Sequence, residues 1–252
     1  MISYKRQEEI LKYLSEHKSA SIEEISKKIY CSPSTVRRDL NVLQDEGKVR
    51  RTRGGVILIE QDLSELPYHS RLMNHYHEKQ RIADYAEPLV EDDMTLFLDS
   101  SSTCMCLAKK LKNFKNLKLL TNNPFLAYDL SQNTNIEVYC AGGRVFPKSN
   151  TIQGADTCKF VMQYHSDIFF VSCRGLDAQA GPTDFISESA QTKYFFAINS
   201  KKTALLVDSS KFQRIYNYGS LDFSMIDYII CDCEPTRDII EACEQHDIEL
   251  IY

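Results

Sequence analysis

Asp99-Ser100-Ser101-Ser102-Thr103 carries the plainest chemistry in this sequence. Four consecutive hydroxyls follow a carboxylate, between an apolar run and a helical pattern. Such a loop offers an anion side-chain donors, backbone N–H groups and the positive end of a helix dipole. An ordinary N-capped loop would use the same residues. Asn122-Asn123 end the next apolar run, where amides hydrogen-bond hydroxyl groups or cap the helix that Pro124 opens. Gly142-Gly143 follow a third run and by themselves read only as a turn. Lys193 and Lys211 are candidates to neutralise phosphate as point cations, although a lysine on a helix or loop is most often solvated.

A second constellation lies near the N-terminus. Val36, Leu40 and Leu43 recur at helical spacing, and Ser34, Arg37, Arg38 and Asn41 fall on the opposite side. Those polar types reach phosphates and base edges in a major groove. The stretch Lys48–Ile59 follows, with Arg50, Arg51 and Arg53 before a Gly54-Gly55 turn, and reads as a basic hairpin.

These groups need elements to hold them. The spacing predicts a helix over 3–17, a second helix capped by Ser21, and a third from Pro33 to about Glu46, stopped by Gly47. Three helices and a basic hairpin make a winged helix-turn-helix over residues 1–58. Residues 59–78 are polar and read as a linker. Over 79–252, strands are predicted at 95–98, 117–120, 137–140, 168–171, 204–207, 228–231 and 249–251. Helices are predicted at 104–112, 124–131, 158–164, 187–199 and 236–245. Such alternation gives a largely parallel α/β sheet, with ligands at the carboxyl ends of its strands.

The net charge of −5 over 252 residues hides a split. Residues 1–55 hold 12 basic and 8 acidic side chains, a net +4, and the remainder carries −9. That pattern suits a small nucleic-acid-facing piece joined to an acidic body. No apolar run approaches the ~18 residues of a spanning helix, and no signal-peptide pattern opens the sequence. Nine cysteines without a C-x-x-C pair suit reduced thiols in a cytoplasm. His75 and His77, and the pairs Cys104/Cys106 and Cys231/Cys233, lack metal-site spacing. No cofactor motif is present. Asp99, Asp177 and Glu188 could supply acid–base chemistry, but no pair has a recognisable catalytic spacing.

The run Ser32-Pro33-Ser34-Thr35-Val36-Arg37-Arg38-Asp39-Leu40, with Leu43, Gly47 and Arg51-Thr52-Arg53-Gly54-Gly55, resembles the DeoR family of bacterial transcriptional regulators. Arg71 and Lys79 match that family's connecting segment. Asp99–Thr103 resembles its phosphate loop, with Ser101 in place of glycine. The segments Arg174–Asp177, Gly181–Thr183, Glu188, Lys193 and Asp208–Phe212 resemble its later motifs. Asp93 and Gln213 also stand where the family carries glycine.

The resemblance implies a repressor-type regulator of carbohydrate genes, binding double-stranded operator DNA as a homodimer or homotetramer. Its affinity would be set by a phosphorylated sugar bound to a domain related in fold to ribose-phosphate isomerases. It adds Thr35 to the DNA-facing set. It assigns Asp99, Ser100, Ser101, Ser102, Thr103, Asn122, Asn123, Gly142, Gly143, Asp177, Lys193 and Lys211 to the effector. A glycine at 101 would bring backbone close to the ligand, so serine there is expected to narrow the pocket or change the anion accepted. The competing reading is a sugar-phosphate isomerase with an appended DNA-binding domain.

Overall fold

The computed structural model describes residues 3–17, 19–45, 48–52, 55–58 and 68–252. Contacts divide the chain into Met1–Arg71 and Leu72–Tyr252. The predicted linker 59–78 lies outside the described residues over 59–67. From Tyr68 it is helical except for a turn at 74–75.

In the first unit the apolar spacings become one core. The elements are α1 (Ser3–His17), β1 (Ser19–Ala20), α2 (Ile22–Lys28), α3 (Pro33–Asp45), β2 (Val49–Thr52) and β3 (Gly55–Leu58). Ile10 and Leu14 of α1, Ile25 and Ile29 around α2, and Val36, Leu40 and Leu43 of α3 are buried together with Val49 and Val56. Ser21 starts α2 with a reciprocal capping box. Its Oγ accepts from the Glu24 N–H at 3.2 Å, and its own N–H donates to Glu24 Oε2 at 2.7 Å. These bonds from Ser21 hold the Glu24 carboxyl below its ordinary range. The wing strands β2 and β3 pair antiparallel, and β3 also pairs with β1, which the sequence did not announce. The predicted end of the third helix, at Glu46 and Gly47, lies outside the described residues.

Two helices come next, α4 (Tyr68–Met73) and α5 (Tyr76–Ala86). An alternating series follows: β4 (Thr95–Leu98), α6 (Ser102–Ala108), β5 (Lys118–Thr121), α7 (Pro124–Asn133) and β6 (Glu137–Cys140). Then come β7 (Arg144–Phe146), β8 (Thr151–Gln153), α8 (Ala155–Val161), β9 (Ser166–Val171), β10 (Gly175–Asp177), β11 (Gly181–Asp184) and α9 (Ser187–Ile198). The chain closes with β12 (Ser200–Val207), β13 (Tyr218–Gly219), β14 (Tyr228–Cys231), α10 (Arg237–Gln245) and β15 (Glu249–Ile251).

Seven strands form one parallel sheet in the order β15-β14-β12-β9-β4-β5-β6. The expected α/β class is therefore observed. The ring of Phe196 on α9 stacks on Phe169 of β9 at 5.2 Å, and Phe97 of β4 meets it edge-on at 5.2 Å. Burying each ring contributes roughly 1.5–3 kcal/mol.

From β4 the chain winds outward through β5 and β6, then returns to β9 on the other side and winds out to β15. The winding reverses between β4 and β9, and such a crevice is where ligands bind in open α/β sheets. Two additions flank the sheet: the antiparallel hairpin β7–β8, and a small antiparallel sheet β10-β11-β13. Helix α6 begins at Ser102 rather than Cys104 because Ser101 caps it.

Candidate functional site

The polar face of α3 is organised before any partner arrives. Ser32 Oγ accepts the Thr35 N–H at 3.3 Å and lies 2.9 Å from the hydroxyls of both Ser34 and Thr35. This caps the helix that Pro33 opens. Asp39, facing inward and buried, takes a two-pronged contact from Arg6 of α1 at 2.7 and 3.1 Å. Ser34, Arg37, Arg38 and Asn41 are exposed on the opposite side, and Thr35 is half-buried. Asn41 also has an internal task. Its Oδ1 accepts from the Arg51 guanidinium at 3.1 Å, and Gln44 Oε1 accepts the Arg51 N–H at 3.2 Å. The wing arginine is thus aimed by α3. Arg50 lies in β2 opposite Ile57. Arg53 and Gly54 lie outside the described residues. Gly55 serves more than a turn: a Cβ there would stand 2.3 Å from the Ala20 carbonyl oxygen, so β3 comes this close to β1 only with glycine.

In the second unit, Asp99 lies at the reversal point. Its buried carboxylate accepts the Ser101 N–H at 2.8 Å and the Ser172 N–H at 3.1 Å. It therefore ties the ends of β4 and β9 together and positions the hydroxyl loop. Ser101 has φ −72° and ψ 154°, and its Oγ accepts the Cys104 N–H at 3.1 Å. Any residue adopts this conformation, so serine stands here in place of glycine without backbone strain. Ser102 and Thr103 are buried, Ser100 is half-buried, and Thr103 Oγ1 is without a hydrogen-bond partner.

Lys211 enters the crevice from the end of β12. Its Nζ donates to Ser172 Oγ at 2.9 Å and lies 3.2 Å from Asp208 Oδ2. Burial pushes the Asp208 carboxyl up, yet Lys211, the Ser210 hydroxyl, Lys79 and His75 outweigh it and hold the group well below the usual carboxylate range. Lys193 is placed differently from a free phosphate cation. Its ammonium contacts both oxygens of buried Asp184, at 2.6 and 2.7 Å, and so neutralises an internal charge. Both ion pairs surround Cys173, whose thiol burial pushes up to about 12. Asp177 Oδ1 accepts the N–H groups of Gln179 and Ala180 at 2.9 and 3.0 Å, turning β10 into β11.

The amides after β5 divide their work. Asn123 Oδ1 caps α7 through the Leu126 N–H at 3.0 Å and receives Asn150 Nδ2 at 2.8 Å. The capping alternative thus describes Asn123. Asn122 instead grips the hairpin, donating to Thr151 Oγ1 and the Ile152 carbonyl, both at 3.0 Å. Gly142 is exposed, whereas a Cβ on Gly143 would meet Thr157 Oγ1 at 2.3 Å. Gln153 and Thr157, buried with unpartnered side-chain oxygens, escaped sequence reasoning. Polar residues in short elements carry no signal of burial.

Cys104 donates its thiol to the Phe170 carbonyl at 3.3 Å, and burial pushes its pKa well up, so it is a poor redox centre. Among the described residues no group of three or more His, Cys, Asp or Glu could hold a metal ion, and no helix is long and apolar enough to cross a membrane.

The family profile described as the DeoR-like helix-turn-helix domain matches residues 6–62, and that of the DeoR C terminal sensor domain matches residues 74–233. The chain belongs to the DeoR family. This DeoR-family protein is 31% identical to the HTH-type transcriptional regulator GolR of Listeria innocua, over 92% of this chain and 91% of that protein. It is 30% identical to the glycerol-3-phosphate regulon repressor of Escherichia coli, over 96% and 95%. It is 32% identical to the L-fucose operon activator of Escherichia coli, over 83% and 86%. Ribose 5-phosphate isomerase A from Methanocaldococcus jannaschii aligns structurally at 16% identity over 55% of each chain, with a TM-score of 0.42. Relatives matched along most of their length are regulators, and this DeoR-family chain is a DNA-binding transcriptional regulator rather than an isomerase.

Proposed function

We propose that this regulator represses carbohydrate genes and that a phosphorylated sugar, bound between β4, β9 and β12, changes its affinity for operator DNA. The carrying observation is Lys211, a cation held by Asp208 and Ser172 beside the hydroxyl loop at the sheet's reversal point. An anionic ester meets the Ser100–Thr103 hydroxyls, backbone N–H groups and the Lys211 ammonium there, which it shares with Asp208. The carbohydrate class also has support from the names of the glycerol-3-phosphate and L-fucose relatives.

On the DNA side, Ser34, Thr35, Arg37, Arg38 and Asn41 enter the major groove, with Arg50, Arg51, Arg53, Gly54 and Gly55 forming the wing along the backbone. The protein acts in the cytoplasm as a homodimer or homotetramer on paired half-sites, the usual arrangement for such modules. Around Lys211, Asp99, Asp177 and Lys193 act by shaping the loops, and Ser100–Thr103, Asn122, Gly142 and Gly143 line the ligand.

The test is a mobility shift on the gene's own upstream region with and without a panel of sugar phosphates, joined to thermal melting of the protein. A ligand that binds only the folded state raises the melting temperature. Expected is one phosphate ester that raises it and alters the DNA shift, with both effects lost in Lys211→Met. DNA binding that no phosphate ester alters would refute the effector half alone. Light scattering on the free protein reads the oligomer.

A further inference from the structure

Two buried amide oxygens at the carboxyl ends of β5 and β8 have no hydrogen-bond partner, Asn122 Oδ1 and Gln153 Oε1. The residues are only 5% and 4% exposed. Asn122 is not free to reverse its amide. Its Nδ2 donates to the Ile152 carbonyl and to Thr151 Oγ1, and a carbonyl only accepts. Oδ1 is therefore an acceptor by necessity. Gln153 stands two residues beyond Thr151 on β8, so their side chains leave the same face of the hairpin, about 7 Å apart along the strand. Thr151 meets Asn122 on that face. Buried acceptors are normally matched by donors, and the described residues supply none to either oxygen.

We propose that Asn122 and Gln153 form the hydroxyl-reading end of the effector site, with Gln153 as a specificity-determining residue. This deepens the phosphate-ester reading above and rests on it. The ligand presents hydroxyl donors to both oxygens. An alkyl hydroxyl donates a hydrogen, whereas a carboxylate offers only lone pairs and is rejected by carbonyl-type oxygens. The pair is uncharged, and the carboxylate at the end of β4, Asp99, has both oxygens engaged by Ser101 and Ser172. A hydroxyl suits this place better than an ammonium, whose buried charge would lack a counterion.

The experiment uses the full chain and two matched pairs of probes. Glycerol 3-phosphate and sorbitol 6-phosphate end in hydroxymethyl groups; 3-phosphoglycerate and 6-phosphogluconate carry a carboxylate at that end. Inorganic phosphate, ribitol and sorbitol complete the set. Affinities come from titration calorimetry and stability from thermal melting, on wild type and Gln153→Met. Expected is a preference for at least one hydroxylated member over its carboxylate partner. Gln153→Met weakens that ligand about tenfold and leaves inorganic phosphate unchanged. It also raises the melting temperature of the free protein, because an unpartnered acceptor gives way to an apolar group of similar length. Unchanged affinity for the hydroxylated phosphates in Gln153→Met overturns the assignment. So does inorganic phosphate binding with no gain from either hydroxylated tail, which leaves the phosphate reading standing. If Gln153→Met does not fold, the wild-type preference within each pair decides alone. If the wild type binds no phosphate, the phosphate reading fails, and ribitol and sorbitol decide: binding supports the pair, and no binding overturns it.

Discussion

Gln213 and Asp93, the two positions at which the sequence resemblance implied glycine, adopt left-handed backbone conformations, φ 56° and 66°. Such a conformation favours glycine, and it separates both from Ser101, whose φ is ordinary. Asp93 keeps compensation, since its side chain accepts Asn116 Nδ2 at 2.8 Å and aspartate tolerates this region. Gln213 is exposed, and its side chain contacts the exposed Asp238 carboxyl at the start of α10. Gln213→Gly should stabilise the protein by about 0.5–1 kcal/mol, read as a higher denaturation midpoint at unchanged slope. Asp208 supplies a test with the opposite sign. Its carboxyl is held low by Lys211, the Ser210 hydroxyl, Lys79 and His75 against the opposing effect of burial. A depressed carboxyl stabilises the fold above its unfolded pKa, and that contribution fades as pH falls through the folded value. Asp208→Asn should therefore cost about 2–3 kcal/mol at neutral pH. Below about pH 4 the gap to wild type should begin to narrow, because unfolded Asp208 is then protonated while the folded carboxylate is not. Urea melts at pH 7 and pH 3 measure both; a gap that stays constant would sink the assignment of the stabilisation to that charge.

Elements differ in how much of themselves they write into the sequence. Strands β4, β6, β14 and β15 match their expected bounds; β4 and β14 are buried apolar runs, whereas β6 and β15 are the partly exposed edges of the sheet. Ser21 and Ser32-Pro33 announced α2 and α3 through chemistry local to each helix start. The hairpin β7–β8 and the sheet β10-β11-β13 were illegible for the complementary reason. They are three or four residues long or shorter, and distant groups hold them, such as Asn122 on Thr151 and the Ser220 N–H on the Pro182 carbonyl at 2.9 Å. The loops that line the site were visible by type, but which member grips a neighbour and which remains available depended on that unseen hairpin. Gly55 shows the same limit, since it read as a turn residue while its necessity comes from β1. Gly55→Ala should cost ~1–3 kcal/mol by forcing β3 off Ala20. Because Thr52 pairs with Gly55 and Arg51 with Val56, the wing arginine should move as well, and operator affinity should fall. Gly219→Ala, where a Cβ meets nothing within 4 Å, is the control for both melting and mobility shift.

For the whole molecule, charge is divided between the two units rather than averaged over them. The net −5 combines +4 over residues 1–55 with −9 beyond, so a polyanion is attracted by one end and repelled by the rest. Attraction of this kind works largely through released counterions, and each neutralised phosphate steepens the fall of log affinity with log salt by about 0.9. If contact is confined to the winged module, the slope depends on its cations alone. Arg37→Ala with Arg38→Ala should flatten it by nearly two per protomer if both side chains touch phosphate. A smaller change with a loss of preference between operator and random DNA would mean that at least one of them reads a base. Lys148→Gln with Lys159→Gln removes two exposed cations from the acidic unit and should leave the slope where it was. Flattening by that second pair would mean that the sensor surface itself meets DNA, and the acidic body could no longer be treated as what keeps the contact on the wing and α3.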